Sequence, residues 1–289
     1  MKPAADSWRP VLAILCYAVL VIVVGALLAP WLFWLVQWLA GNFDSFARLA
    51  RHPFKRVFNR ALLIVALLGL WPLLRNVGFR SWAQFGFGRR RDWWRQVLFG
   101  FLLGVIGLLL TVIVRQGHVA MAVSAGLVGK LLATAIAVAV IEEAFFRGGL
   151  QGALQRAFHW LPALLVASVI YSALHFLKPI GVKIAADTVR WSSGFTCLGE
   201  IVSKSYSALG VATAFVTLCL AGCLLGWAFQ RTQALYLSIG LHAGWVLANE
   251  FFRATAQITI VEDWLAWPAL LVQWVVLAWF CRSRSPAVV

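Results

Sequence analysis

Two adjacent carboxylates, Glu142 and Glu143, stand inside an apolar run, and Arg147 follows four residues after the second. From Leu131 to Ile141 there is no charged residue at all. A charge at the centre of a membrane helix costs roughly 2.5–3.5 kcal/mol on insertion scales. A glutamate pair there must be neutralised, hydrated or used. Glu143 and Arg147 share an i, i+4 face and can pair. Glu142 lies about 100° around the helix and is left to face a cavity. That division suits catalysis, with one carboxylate structural and the other able to take a proton.

Two further apolar runs carry polar groups. His175 closes the segment Tyr171-Ser172-Ala173-Leu174-His175, and His242 lies on a later run with Asn249 seven residues on. Asn249 returns to within about 20° of the His242 face of a helix. Ionisable side chains at membrane depth normally face the bundle interior. A carboxylate and two imidazoles around one cavity are enough to run acyl transfer to water. The same residue types also suit a structural ion pair, a coupling-ion or proton site of a transporter, or a divalent metal, and residue type alone leaves these open. No serine sits in a Gly-x-Ser-x-Gly context and no His-Glu-x-x-His run occurs, so a serine hydrolase or a zincin has no support. The five cysteines form no CxxC pair, which predicts neither a disulfide framework nor a zinc cluster. His52, His118 and His159 read as loop or interfacial residues.

The elements that must position these groups follow from composition. The chain has 289 residues, 62% hydrophobic and 12% charged, with a mean hydropathy of +0.86. A soluble domain carries about 25% charged residues. Several runs reach or approach the roughly 20 apolar residues that span a bilayer. The expected fold is an all-α, polytopic transmembrane bundle of about eight helices, with the site between helices four, five and seven. The alternating short segments of a transmembrane barrel are absent. The net charge of +15 falls between the apolar runs, where orientation signals and lipid headgroups place it, and not in a nucleic-acid patch.

In chain order, Val11–Ala40 is too long for a signal-peptide core and reads as an uncleaved first span, kinked at Pro30. A basic segment from Arg48 to Arg60 precedes a short second run, Ala61–Leu74. Phe85-Gly86-Phe87-Gly88-Arg89-Arg90-Arg91 reads as a turn and a basic knot before the third run, Trp93–Val114. The fourth run starts near Val119, after Arg115, and its helical pattern continues to Phe158. The fifth is Leu161–Leu177. The polar stretch 178–207, with Lys178 and Lys183, reads as a loop with short helices, and Ala208–Phe229, Leu235–Phe252 and Trp264–Phe280 complete the set. Two domains are expected, N-terminal membrane helices over 1–79 and a core over 80–289. Counting arginines and lysines puts the loop at Arg80–Arg95 and the tail at Arg282 and Arg284 inside, whereas the basic segment 42–60 falls outside. That conflict implies a second run that does not cross, or a re-entrant first run.

Glu142-Glu143-x-x-x-Arg147, Tyr171-x-x-x-His175 and the later His242 together resemble the CPBP family of CAAX prenyl endopeptidases and bacteriocin-processing proteins, also called the ABI family of glutamic intramembrane proteases. Its first motif, EExxxR, is matched in full, and Gly148-Gly149-Leu150-Gln151 is similar to the R-G-x-L-Q usual there. Its second motif, FxxxH, is matched with Tyr171 in the aromatic place, and the Gly86–Arg90 knot is family-like. The likeness covers roughly residues 80–252. Its third motif, HxxxN, is not matched, since Val246 stands where asparagine is usual. The resemblance implies peptide hydrolysis by activated water without a covalent intermediate. Glu142 would be the general base, helped by His175. His242, with Asn249 as a substitute donor, would serve the oxyanion, and Glu143 with Arg147 would hold the helix in register. It implies no cofactor, a membrane-associated peptide or protein substrate, the lipid bilayer as surroundings, no nucleic acid, and a bacterial inner (plasma) membrane. A non-proteolytic immunity or sorting protein and a proton-coupled transporter are the alternatives.

Overall fold

A computed structural model of the chain describes residues 9–114, 118–119, 124–176, 184–205, 210–257 and 263–282. Arg115, Lys178, Lys183 and Arg284, cited above for the flanks of spans, lie outside the described residues. Eleven α-helices are present among the described residues, joined by 3-10 and π turns. One two-residue antiparallel pairing, His118 with Gln257 and Val119 with Ala256, is also present. Six helical stretches are long and apolar enough to cross a membrane. Leu68, Ile113 and Trp279 are 74%, 68% and 71% exposed, which only a lipid surround makes tolerable. The chain is an integral membrane protein.

The chain divides into two compact units, Met1–Gly78 with Leu174–Ala208, and Phe79–Ala173 with Leu209–Val289. In the first, α1 (Arg9–Asn42) and α3 (Phe54–Asn76) form an antiparallel pair, with the short α2 (Ala47–Ala50) between them in the chain. Tyr17 donates to the carbonyl of Ala66, and Gly25 lies against Leu62. The re-entrant first run is not seen: α1 continues through Pro30 for 34 residues, and α3 is a full 23-residue helix. Proline removes the donor for the carbonyl four residues back, here Ala26. That carbonyl faces Gly194 at the start of α8 (Ser193–Ser205), where a Cβ would collide with it. A glycine on a neighbouring helix thus shields the oxygen that Pro30 releases. Ala26, Ala29, Phe33, Phe54, Phe58, Ala61, Cys197 and Ile201 form this unit's core.

The second unit holds the other helices. These are α4 (Trp93–Val114), α5 (Ala125–Glu143), a π-helical segment Ala144–Gln151, α6 (Gly152–Ala157), α7 (Trp160–Phe176, whose residues from Leu174 onward belong to the first unit), α9 (Gly210–Thr232), α10 (Tyr236–Thr255) and α11 (Trp267–Arg282). The fourth run was expected as one α-helix to Phe158; it widens to π across Gly148-Gly149 and ends at Ala157. The eight expected spans reduce to six that meet length and apolarity, because α7 is 17 residues long and α10 is too polar, carrying His242, Asn249, Glu250 and Arg253.

The tightest helix pair is α4 with α10. Gly100 and Gly104 on one face Gly240 and Gly244 on the other. A Cβ on Gly100 would sit 2.5 Å from the Leu237 carbonyl, and one on Gly104, Gly240 or Gly244 would strike the carbonyls of Leu241, Val97 and Phe101. Small residues let membrane helices approach backbone to backbone. Gln273 of α11 seals the pair, donating to the Leu103 carbonyl at 3.0 Å and accepting from the Trp245 indole at 3.2 Å. Gly240→Ala is therefore expected to force α4 and α10 apart and cost about 1–3 kcal/mol, read as a lowered denaturation midpoint in detergent. An unchanged midpoint would show that the two backbones are not in contact.

Candidate active site

The π segment begins directly after Glu143. A π-helical turn inside an α-helix is rare and frequently marks a functional site. Gly148 permits it, because the segment needs no Cβ where the Phe85 carbonyl and ring press against it, at 2.7 and 2.9 Å. The Phe85-Gly86-Phe87 turn is itself pinned. Gly86 has φ +98, a Cβ there would lie 2.8 Å from Leu235, and its carbonyl accepts from the Leu235 N–H at 3.0 Å. The turn thus ties the π segment to the start of α10, the helix that carries His242.

Three polar side chains fasten the π segment and α6 to α9. Arg147 donates to the Gly222 carbonyl at 3.1 Å, Gln151 to the Gly226 carbonyl at 3.0 Å, and Gln155 to Gln230 Oε1 at 2.7 Å. Both series advance by four residues, so the two helices run parallel along this ladder. Gly226 lets them close, since a Cβ there would stand 2.5 Å from Gln151 Oε1, whereas Gly222 faces Ser168 and Tyr171 of α7.

On this frame the charges meet. Arg147 donates to Glu143 Oε1 at 3.0 Å, and the same oxygen accepts from His242 Nδ1 at 2.8 Å. Glu143 and Arg147 are 0% and 2% exposed. Glu142 differs, at 29% exposed, with its Oε2 3.8 Å from His242 Nε2. That distance is too long for a direct hydrogen bond but suits one water about 2.8 Å from each atom. Tyr171 roofs the cluster. Its ring lies 4.5 Å from the Arg147 guanidinium, 4.9 Å from the Phe146 ring and 6.3 Å from the His242 ring. The arginine is held between a carboxylate, a carbonyl and an aromatic face, which together offset the cost of burying it.

The structure therefore brings Glu142, Glu143, Arg147 and His242 together. His175 is half-buried on α7, one turn beyond Tyr171, and falls in the Leu174–Ala208 segment of the other unit. Asn249 is exposed on α10, and Val246 is half-buried. Sequence reasoning missed the Glu143–His242 bond, which joins residues 99 positions apart, and the ladder to α9. For the ladder a signal was present: Gly222-x-x-x-Gly226 is a small-residue spacing typical of close helix contacts. Among the described residues no group of three or more His, Cys, Asp or Glu could hold a metal ion.

Residues 124–248 match the family model described as type II CAAX prenyl endopeptidase Rce1-like. The match is consistent with the CPBP family. The match spans α5, the π segment, α6, α7, α8, α9 and most of α10, so it contains Glu142, Glu143, Arg147, Tyr171, His175 and His242. No curated protein and no solved structure matches the chain.

Proposed function

We propose that the protein is an intramembrane endopeptidase that hydrolyses a peptide bond of a membrane-associated peptide or protein with water activated by Glu142. The observation that carries the reading is the contrast between the two glutamates. Glu143 is sealed and spent on Arg147 and His242, whereas Glu142 is partly open, with a 3.8 Å gap between its Oε2 and His242 Nε2. A water in that gap would touch a carboxylate able to take its proton and an imidazole able to steer it. With His242 Nδ1–H directed at Glu143, the ring is fixed in orientation and Nε2 is the nitrogen turned to the reaction. Glu143 thereby acts on catalysis through the imidazole, as a positioning residue. Attack on a carbonyl carbon forms the C–O bond and a tetrahedral oxyanion. Return of the proton to the amide nitrogen lets the C–N bond break, leaving a carboxylate and an amine. No covalent enzyme intermediate and no metal are needed for this balance.

The family resemblance supports a helper role for His175, and an oxyanion role for His242 once its ring carries both protons, since with Nδ1–H on Glu143 a neutral ring offers Nε2 only as an acceptor. Asn249 would complete that donor set only if α10 presents its exposed amide to substrate. A bacterial inner membrane is the compartment this reading favours, with a client such as a leader peptide or a C-terminal sorting tail.

Reconstituted protein is to be given membrane-anchored peptides, with and without a C-terminal prenyl-cysteine, in ¹⁸O-labelled water. The expected product carries one ¹⁸O in its new carboxylate. Proton or ion flux through the proteoliposomes with no cleavage of any peptide would overturn the peptidase reading in favour of a transporter.

A further inference from the structure

The basic segment Arg48–Arg60 remains unexplained by the active site. It holds Arg48, Arg51, Lys55, Arg56 and Arg60, and among the described residues none of them forms an ion pair with a carboxylate. Two of them, Lys55 and Arg56, occupy the first turn of α3, where no acidic residue stands and Pro53 provides no side-chain cap. Cations in a helix's first turn oppose its dipole. Uncompensated, this arrangement is unfavourable twice over, through mutual repulsion and through the dipole. An anion would relieve both.

A place for one exists. A cavity of about 490 Å³ lies between α1, α2 and α3. His52, Arg56 and Arg60 supply polar lining, and the Arg56 guanidinium donates to His52 Nδ1 at 3.1 Å. Leu32, Val36 and Ile64 supply apolar lining. Leu32 and Val36 stand near the level of the basic groups, since Phe33 packs on Phe54 and Gln37 donates to the Ala50 carbonyl, whereas Ile64 lies about 12 Å further along α3 than Arg56 by helix rise. The site therefore sets cationic and apolar walls side by side, as the headgroup end of a lipid requires. A free anion would satisfy the arginines but leave the apolar wall unused, and a neutral lipid would do the reverse.

We propose that this cavity in the first unit binds one anionic glycerophospholipid, its phosphate against Arg56 and Arg60 and its apolar part against Leu32, Val36 and Ile64. Basic pockets between transmembrane helices bind anionic headgroups in this way. The bound lipid also accounts for the basic segment that the arginine-and-lysine count places on the wrong side: its cations serve a ligand rather than orientation alone.

The test uses the full chain in nanodiscs of phosphatidylcholine doped with phosphatidylglycerol, with bound lipid counted by native mass spectrometry. The wild type is expected to retain phosphatidylglycerol over phosphatidylcholine. Each exposed arginine is expected to contribute about fivefold, so Arg56→Gln with Arg60→Gln should lose about 25-fold. Arg75→Gln, at the far end of α3 over Trp71, removes a charge elsewhere and should leave retention unchanged. Ile64→Trp fills the apolar wall without touching charge and should also lower retention. That variant keeps the proposal testable if the double arginine variant fails to fold. Equal retention of the two lipids, equal loss with Arg75→Gln, or displacement of phosphatidylglycerol by millimolar inorganic phosphate would overturn it. None of these results depends on whether the protein cleaves peptides.

Discussion

Glu142→Gln is expected to lower kcat by about 10²–10⁴-fold, the contribution of a positioned general base, while the protein folds as before. The amide is close in size to the carboxylate and can still touch a water, but it cannot take the proton. Glu142 is partly open and touches the Glu143–Arg147–His242 chain only through the 3.8 Å approach to His242 Nε2, so its neutralisation leaves the buried Glu143–Arg147 pair intact. The variant should purify with the wild-type melting midpoint, and KM should change far less than kcat. Wild-type turnover in this variant would remove the base from the proposed mechanism.

Arg147→Met is expected to have the opposite profile, a loss of fold before a loss of chemistry. Arg147 neutralises a fully buried carboxylate, caps the Gly222 carbonyl and lies over the Tyr171 ring. Removing one partner of a buried ion pair costs about 3–5 kcal/mol, because the other charge stays behind. Equilibrium unfolding in detergent should show a loss of that size. Pairing the change with Glu143→Gln removes the stranded charge and should recover part of the loss. If Arg147→Met alone unfolds at the wild-type midpoint, the pair is not a structural tie.

Much of the frame was legible because a bilayer writes strong rules into sequence. Runs such as Trp93–Val114 and Ala208–Phe229 became α4 and α9 with ends within a few residues. The Glu143–Arg147 pair followed from helical spacing, and it is made at 3.0 Å. Other features depend on partners that local pattern does not reveal. Pro30 is accommodated because Gly194, 164 residues away, faces the carbonyl it releases. The π segment needs the Phe85 turn against Gly148, and its composition alone reads as an ordinary helix. The stretch 174–208, grouped from sequence with the core, clusters with the N-terminal helices through α8 and its buried Cys197 and Ile201. Helical angle puts Asn249 near the His242 face and helix rise puts it about 4.5 Å beyond the Val246 position, but neither reveals that the side chain is exposed.

The most direct test of the central claim, that Glu142 and His242 act together on one water, is a double-mutant cycle on kcat. Its members are Glu142→Gln, His242→Gln and the two combined, each checked for an unchanged melting midpoint. Residues that work as a unit are strongly non-additive, so the combined variant should be no slower than the slower single one. Losses that multiply, or a His242→Gln variant that cleaves at the wild-type rate, would contradict the account.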